Sequence, residues 1–142
     1  MTNLLRISDA ATIGLHTVAY LARMSKVSTN REIAATLCVS GAHLSKVLQR
    51  LEKAGIVQSV RGPKGGFRLS PAGVDATLLE LFEAIEGRLT PTTCLLGNVV
   101  CTGGCMLGDL LSQVNSLVMG KLSGAKVSDL AKHFEDKTAL AG

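Results

Sequence analysis

The chain has 142 residues, and because 46% are hydrophobic but only 3% aromatic, we expect one domain with an aliphatic core. Its net charge of +4 is uneven: residues 1–70 carry ten Lys or Arg and three Asp or Glu, whereas residues 71–142 carry five and eight. The basic first half predicts a polyanionic partner, and the lack of a membrane-spanning apolar run or a signal-peptide pattern predicts a cytoplasmic protein with no membrane partner.

The first half of the chain is predicted to form three helices and a β-hairpin. Ser8 can cap the first helix, and Thr29 with Glu32 forms the T-x-x-E capping box of the second. Ser40 can cap the third helix, and Gly55 can end it. In chain order we expect helices over residues 8–24, 29–37 and 40–55, and strands over residues 56–60 and 66–70.

The second half is predicted to be helical around a cysteine segment. We expect a helix over residues 75–87, a long helix over 106–122 and a short one over 126–134. The long helix carries a broad apolar face, which predicts a homodimer because so small a chain cannot cover it. The apolar residues of that face are Leu107, Leu110, Leu111, Val114, Leu117 and Val118.

The order helix, short helix, turn, helix and hairpin is that of a winged helix-turn-helix domain. The predicted fold class is therefore mainly α with a small β-hairpin wing, followed by a long dimerisation helix. Its expected divisions are residues 1–87 for DNA binding, 88–105 for the cysteine segment, and 106–142 for the dimerisation and C-terminal helices.

This arrangement predicts binding to double-stranded DNA. The third helix places small and basic side chains opposite its leucine stripe, as entry into the major groove requires, and the hairpin tip adds cations among glycines. Taken singly, each feature also fits a solvated basic face or an ordinary turn; their joint order favours DNA. The predicted DNA contacts are Ser40, Ala42, His43, Ser45, Lys46, Arg50, Arg61, Lys64 and Gly65.

The stretch "HLSKVLQRLEKAGIVQSVRGPKGGFRLS", followed by "LLELFEAIEG", resembles the iron–sulfur winged-helix regulators of the IscR, NsrR and RirA type, the Rrf2 superfamily. The resemblance covers nearly the whole chain. It implies a homodimeric transcription factor that binds a palindromic operator and dimerises through the long helix. The family's wing arginine matches Arg61, whereas its usual tyrosine near the start of the third helix is His43 here.

The chain has four cysteines, three of them in the segment "TTCLLGNVVCTGGCM". Cys38 stands apart in an apolar stretch and is predicted to be a buried small hydrophobe. In the family, three cysteines between the last two long helices ligate an iron–sulfur cluster, and Cys94, Cys101 and Cys105 occupy that place. Their spacing is C-x6-C-x3-C, with a second gap shorter than the family's, and it does not decide between a two-iron and a four-iron cluster.

Several alternatives stay open. A cluster needs a fourth ligand, for which Asp9, Thr12 and Asp109 are candidates. The three cysteines could instead form a thiol–disulfide switch without metal, a zinc site or an inert remnant. A function of another class would be an iron–sulfur electron carrier or cluster-delivery protein. No catalytic constellation of nucleophile and base is present, so we predict no enzyme.

Overall fold

The computed structural model describes residues 7–92, 94–96 and 104–132. The fold is mainly helical with one antiparallel hairpin, as predicted. None of the helices in these ranges is long and apolar enough to cross a lipid bilayer. In chain order the elements are α1 (Asp9–Met24), α2 (Asn30–Leu37), α3 (Gly41–Lys53), β1 (Val57–Val60), β2 (Gly66–Leu69), α4 (Pro71–Asp75), α5 (Leu78–Glu86), α6 (Met106–Gly124) and α7 (Val127–Lys132).

The predicted helix starts are confirmed by their hydrogen bonds. The Ser8 hydroxyl accepts from the amide of Ala11, and the capping box between Thr29 and Glu32 is formed in both directions. The Ser40 hydroxyl accepts from the amide of His43 at the start of α3. These bonds satisfy backbone donors that have no partner within the helix, so local sequence alone fixes where the helices begin.

The segment between the hairpin and α5 differs from the prediction. Ser70, the expected last residue of the second strand, is instead the cap of an unpredicted helix α4, whose first residue is Pro71. Proline suits that position because its ring presets a helical φ and its missing N–H has no acceptor there. Helix α5 then begins later than expected, because Thr77 and Glu80 form a second capping box.

The prediction for Cys38 is wrong. Cys38 is exposed, because it ends α2 in the left-handed conformation with φ 55°. Its Sγ lies 3.7 Å from the carbonyl oxygen of Ala35. The apolar stretch around it is therefore a helix end rather than an interior position, and the thiol faces solvent.

The core is aliphatic and lies between α1, α3 and α5. Helix α1 approaches α5 closely at Gly14, where an added Cβ would be 2.0 Å from Cδ1 of Ile85. The largest fully buried side chains are Ile33, Leu44, Leu48, Leu51, Leu81, Val18, Val57, Val127, Thr17 and Ser28. The predicted leucine stripe of α3 is thus confirmed as the centre of the core.

The hairpin, here called the wing, is joined to the link between α1 and α2. Strands β1 and β2 pair from Val57 opposite Leu69 to Val60 opposite Gly66. Ser28 and Phe67 exchange two backbone hydrogen bonds, of 2.9 and 2.8 Å. A side chain at Gly66 would place its Cβ 2.4 Å from the carbonyl oxygen of Ser28, and φ is 154° there, so glycine permits this junction.

Helix α7 returns to the winged-helix core. The amide of Val127 donates to the carbonyl of Ala76, and the amide of Leu78 donates to that of Ala125, both at 2.9 Å. Val127 is fully buried in the same core as α1 and α3. The backbone amide of Lys126 donates to the carboxylate of Asp129 and lowers the pKa of that side chain.

Candidate functional site

Helix α3 presents one buried and one exposed side. Its buried stripe is Leu44, Val47, Leu48 and Leu51. By helical periodicity, the residues directly opposite this stripe are Ala42, Lys46, Gln49 and Lys53, here called the outer ridge. All four are exposed, so the outer ridge is free to meet a ligand.

The start of α3 is held by a contact from α2. The side-chain amide of Asn30 donates to the carbonyl oxygen of Gly41 at 3.3 Å and to the hydroxyl of Ser45 at 2.9 Å. Ala42 and His43 are exposed on the first turn. The predicted contacts Ser40, Ala42, His43, Ser45 and Lys46 are therefore all exposed at the N-terminal half of α3.

Arg50 lies on the flank of α3 rather than on the outer ridge. Its guanidinium Nη1 donates to the carbonyl oxygen of Ile85, 2.8 Å away, near the end of α5. A guanidinium has further N–H groups, which this bond leaves available. Arg50 thus links α3 to α5, a role that the sequence did not indicate.

The wing tip holds the remaining predicted DNA contacts, Arg61, Lys64 and Gly65. Arg61, Gly62, Pro63 and Lys64 are exposed in the turn between β1 and β2. The amide of Gly65 donates to the carbonyl oxygen of Gly62 at 2.9 Å, which closes the turn. The tip therefore presents two cations on a compact loop.

The cations of this surface have no acidic partner among the described residues. No ion pair within residues 7–92, 94–96 and 104–132 involves Lys46, Lys53, Arg61 or Lys64. Glu52, the one acid of α3, accepts from the hydroxyl of Ser59 at 2.6 Å. The positive charge of α3 and of the wing is therefore available to DNA phosphates. Cationic side chains that bind such phosphates release counterions from the DNA.

In the cysteine segment, hydrogen bonds hold the first described residues, and the last cysteine precedes the first residue of α6. The side-chain amide of Asn115 on α6 donates to the carbonyl oxygen of Thr92 at 2.9 Å, and the Thr92 hydroxyl donates to the carbonyl oxygen of Cys94 at 2.9 Å. Cys105 occupies the N-cap position of α6, where its side chain makes no capping bond.

Cys94 and Cys105 are free thiols; Cys94 is partly buried and Cys105 is exposed. The predicted ligand Cys101 lies outside the described residues. Within the described ranges, no three or more His, Cys, Asp or Glu side chains are grouped closely enough to hold a metal ion. Asp9, Thr12 and Asp109, the candidate fourth ligands, are all exposed.

Two residues of this surface were not singled out from the sequence. Gln49 falls on the outer ridge at seven residues from Ala42, a spacing visible in the sequence. Asn30 contacts α3 only because α2 and α3 fold against each other, so no sequence signal reveals it. Glutamine and asparagine amides both carry donors and acceptors suited to base edges.

Known proteins match nearly the whole chain. Residues 7–133 match the family Rrf2, described as "Iron-dependent Transcriptional regulator". The regulator IscR of Photobacterium profundum is 32% identical over 96 residues, which cover 66% of this chain and 55% of that protein. The regulator NsrR of Bacillus subtilis is 28% identical over 137 residues, which cover 93% of this chain and 94% of that protein. The chain thus spans little more than half of the IscR relative but nearly all of NsrR.

Solved structures share the fold. CymR, the global cysteine regulator of B. subtilis, superposes with a TM-score of 0.77 at 25% identity, covering 93% of this chain and 100% of that one. IscR of T. potens superposes with a TM-score of 0.73 at 22% identity, covering 94% of this chain and 91% of that one. Since the family match spans the winged helix and the helices beyond it, the chain belongs to the Rrf2 family of transcriptional regulators, which are not enzymes.

Proposed function

We propose that the chain is a homodimeric regulator that binds a palindromic operator through α3 and the wing, and that an iron–sulfur cluster held by Cys94, Cys101 and Cys105 controls its operator affinity. The observation that carries this proposal is the position of Cys105, which is the N-cap of α6. Chemistry at the cysteine segment therefore acts directly on the start of the helix that we assign to dimerisation.

The exposure of α6 supports dimerisation. None of the 19 residues of this helix is buried in the single chain. Leu107, Leu110 and Leu117 are 51%, 55% and 65% exposed, whereas Leu111 and Val118 are partly covered. An apolar face of this kind on a soluble helix favours burial against a second copy of itself, in the symmetric arrangement that a palindromic operator matches.

The exposed cations support DNA binding. Lys46 and Lys53 lie on the outer ridge of α3, and Arg61 and Lys64 lie on the wing tip. In a winged-helix complex, the first turns of α3 face the base edges in the major groove, and the wing meets the backbone or the minor groove. We propose that His43 and Ser45 contribute to base recognition and that the cations bind phosphates.

The donor set fits an iron–sulfur cluster in its chemistry. Cysteine thiolates are the ligands that such clusters take, and both described cysteines of the segment are free thiols. Cys105 also sits at the N-cap of α6, where its side chain makes no capping bond and its sulfur is exposed. When bound, the cluster would supply a centre that oxidants or nitric oxide can attack and that shortage of iron would remove.

The structure supports a route from this segment to the operator surface. The segment follows α5, whose last turn is bonded to α3 through Arg50 and Ile85. Its start is also tied to α6 through Thr92 and Asn115. We propose that a change at the cysteines shifts α5 and α6 together, and so changes the separation of the two α3 helices in the dimer.

A thiol switch without metal is the second candidate function. It is supported by the two free thiols and by the likeness to CymR, a regulator described as a global cysteine regulator. In this case oxidation of the cysteines, rather than loss of a cluster, would change operator affinity.

One experiment tests both candidates. The wild-type protein and the variants Cys94→Ala, Cys101→Ala and Cys105→Ala are purified without oxygen, and iron, sulfide and visible absorption are measured. Cys38→Ala is the matched control, since Cys38 is an exposed thiol outside the segment. We expect the three segment variants to lose iron and sulfide and the control to keep both. A wild-type protein that takes up no iron, but whose operator affinity responds to a thiol oxidant, would replace the cluster by the thiol switch.

A further inference from the structure

The side-chain amide of Asn30 makes two hydrogen bonds to α3. Its Nδ2 lies 3.3 Å from the carbonyl oxygen of Gly41 and 2.9 Å from the hydroxyl oxygen of Ser45. Asn30 is the first residue of α2, whose start is held by the capping box between Thr29 and Glu32. The amide therefore approaches α3 from a well-defined backbone position.

The chemistry of the two partners fixes the direction of both bonds. The Gly41 carbonyl can only accept, so it must face the NH2 group of Asn30 rather than its oxygen. The second hydrogen of the same NH2 group then points to Ser45, and the Ser45 oxygen must accept it. Glycine at position 41 leaves room for this amide, since an added Cβ would be 3.1 Å from Oδ1 of Asn30.

The hydroxyl hydrogen of Ser45 is consequently directed away from Asn30. A serine within a helix commonly donates to the carbonyl four residues earlier, which here is the Gly41 carbonyl already bonded to Asn30. Among the hydrogen bonds of the described residues, the Ser45 hydroxyl accepts from Asn30 and donates to no other group. Ser45 is exposed, so this hydrogen is available to a ligand on the surface of α3.

We propose that Asn30 is a specificity-determining residue, which acts by making Ser45 a hydrogen-bond donor toward the operator. Ser45 then donates to an acceptor on a base edge, such as a purine N7, guanine O6 or thymine O4. This inference rests on the proposed binding of DNA through α3.

The test begins with an operator selected by the wild-type protein from random duplex DNA. Affinity for this operator is then measured for Asn30→Ala, Ser45→Ala and the double variant. Without Asn30, the Ser45 hydroxyl can turn to the Gly41 carbonyl, so we expect each single variant to bind roughly five- to tenfold more weakly. The double variant should bind no more weakly than either single one, because both changes remove the same donor.

A control variant tests whether the effect is specific to Asn30, and two DNA modifications identify the group that Ser45 contacts. Thr36→Ala, which removes a hydroxyl bond to Glu32 within the same helix α2, should leave affinity unchanged. Replacing purines by their 7-deaza analogues should weaken the wild type at one position of each half-site but not Ser45→Ala, and single phosphates are replaced by methylphosphonates in parallel. Weakening by the first modification identifies a base acceptor, whereas weakening by the second alone would place Ser45 on a phosphate and overturn the specificity role.

Two outcomes of the variant measurements would also overturn the proposal. Unchanged affinity in Asn30→Ala would show that the amide does not act on binding, and additive losses in the double variant would show that it acts independently of Ser45. Both leave DNA binding through α3 standing. A wild-type protein that selects no duplex at all would refute the proposed function as well.

Discussion

The guanidinium of Arg50 on α3 donates to the carbonyl oxygen of Ile85 on α5, with an N–O distance of 2.8 Å. The side chain of Ile85 is buried against α1, where Gly14 leaves it space. The last turn of α5 is thereby attached to both α1 and α3. The cysteine segment follows this turn, so the turn lies between the segment and the proposed DNA-binding helix along the chain.

Arg50→Ala should lower the free energy of unfolding by about 1 kcal/mol, because it removes a partly buried hydrogen bond. Lys53→Ala is the control: Lys53 is exposed on the same helix, and its loss should change stability by less than about 0.5 kcal/mol. Urea unfolding of both variants measures the difference. Equal effects would mean that Arg50 is an ordinary surface cation.

Gly14→Ala should destabilise the protein by about 1–3 kcal/mol, because the new methyl group would overlap Cδ1 of Ile85. Adding Ile85→Val removes that Cδ1 and should recover part of the loss in thermal or urea unfolding. Gly120→Ala on α6 is the matched control. Beyond its own helix backbone, no heavy atom of the described residues lies within 4 Å of an added Cβ there, so this change should be neutral or stabilise the helix by up to about 1 kcal/mol. No loss in Gly14→Ala would contradict the close approach of α1 and α5.

Arg61→Ala combined with Lys64→Ala should weaken operator binding, because the wing would then neutralise fewer phosphates. The slope of log affinity against log salt should fall by roughly 1 for each phosphate group that the variant no longer binds. Arg88→Ala removes an exposed cation beyond α5 and should leave the slope as it is. Fluorescence anisotropy over a range of salt concentrations measures both quantities. An unchanged slope in the double variant would exclude the wing tip as a phosphate-binding element.

Leu117→Glu should yield monomers and weaken operator binding, because a charge would enter the proposed dimer contact. Leu117 is 65% exposed in the single chain, so the substitution should not disturb the fold of the monomer. Ser116→Glu adds the same charge on the opposite side of α6 and should leave the dimer intact. Sedimentation at micromolar concentration separates the two states, and a monomeric wild type would refute the assignment.

Much of the fold follows from signals that lie within a few residues of one another. The capping boxes at Thr29 and Thr77, the leucine stripe of α3 and the turn "RGPKGG" each specify their own element. Cys38 shows the limit of such signals. Its apolar neighbours resemble a buried stretch, yet the left-handed backbone at the end of α2 turns its thiol to solvent.

The candidate site also contains some residues whose positions could be predicted from the sequence and others whose contacts could not. Its exposed cations could be predicted, because helical periodicity alone places Lys46 and Lys53 opposite the buried stripe. The partners of Arg50 and Ser45 could not, since Ile85 is 35 residues and Asn30 is 15 residues away along the chain. By itself the sequence determined the starts of α1, α2 and α3 and the position of the wing, because caps, turns and apolar periodicity act between near neighbours. Only the tertiary structure decided which flank of α3 meets α5 and which meets α2, because a hydrogen bond between distant residues depends on how whole helices pack.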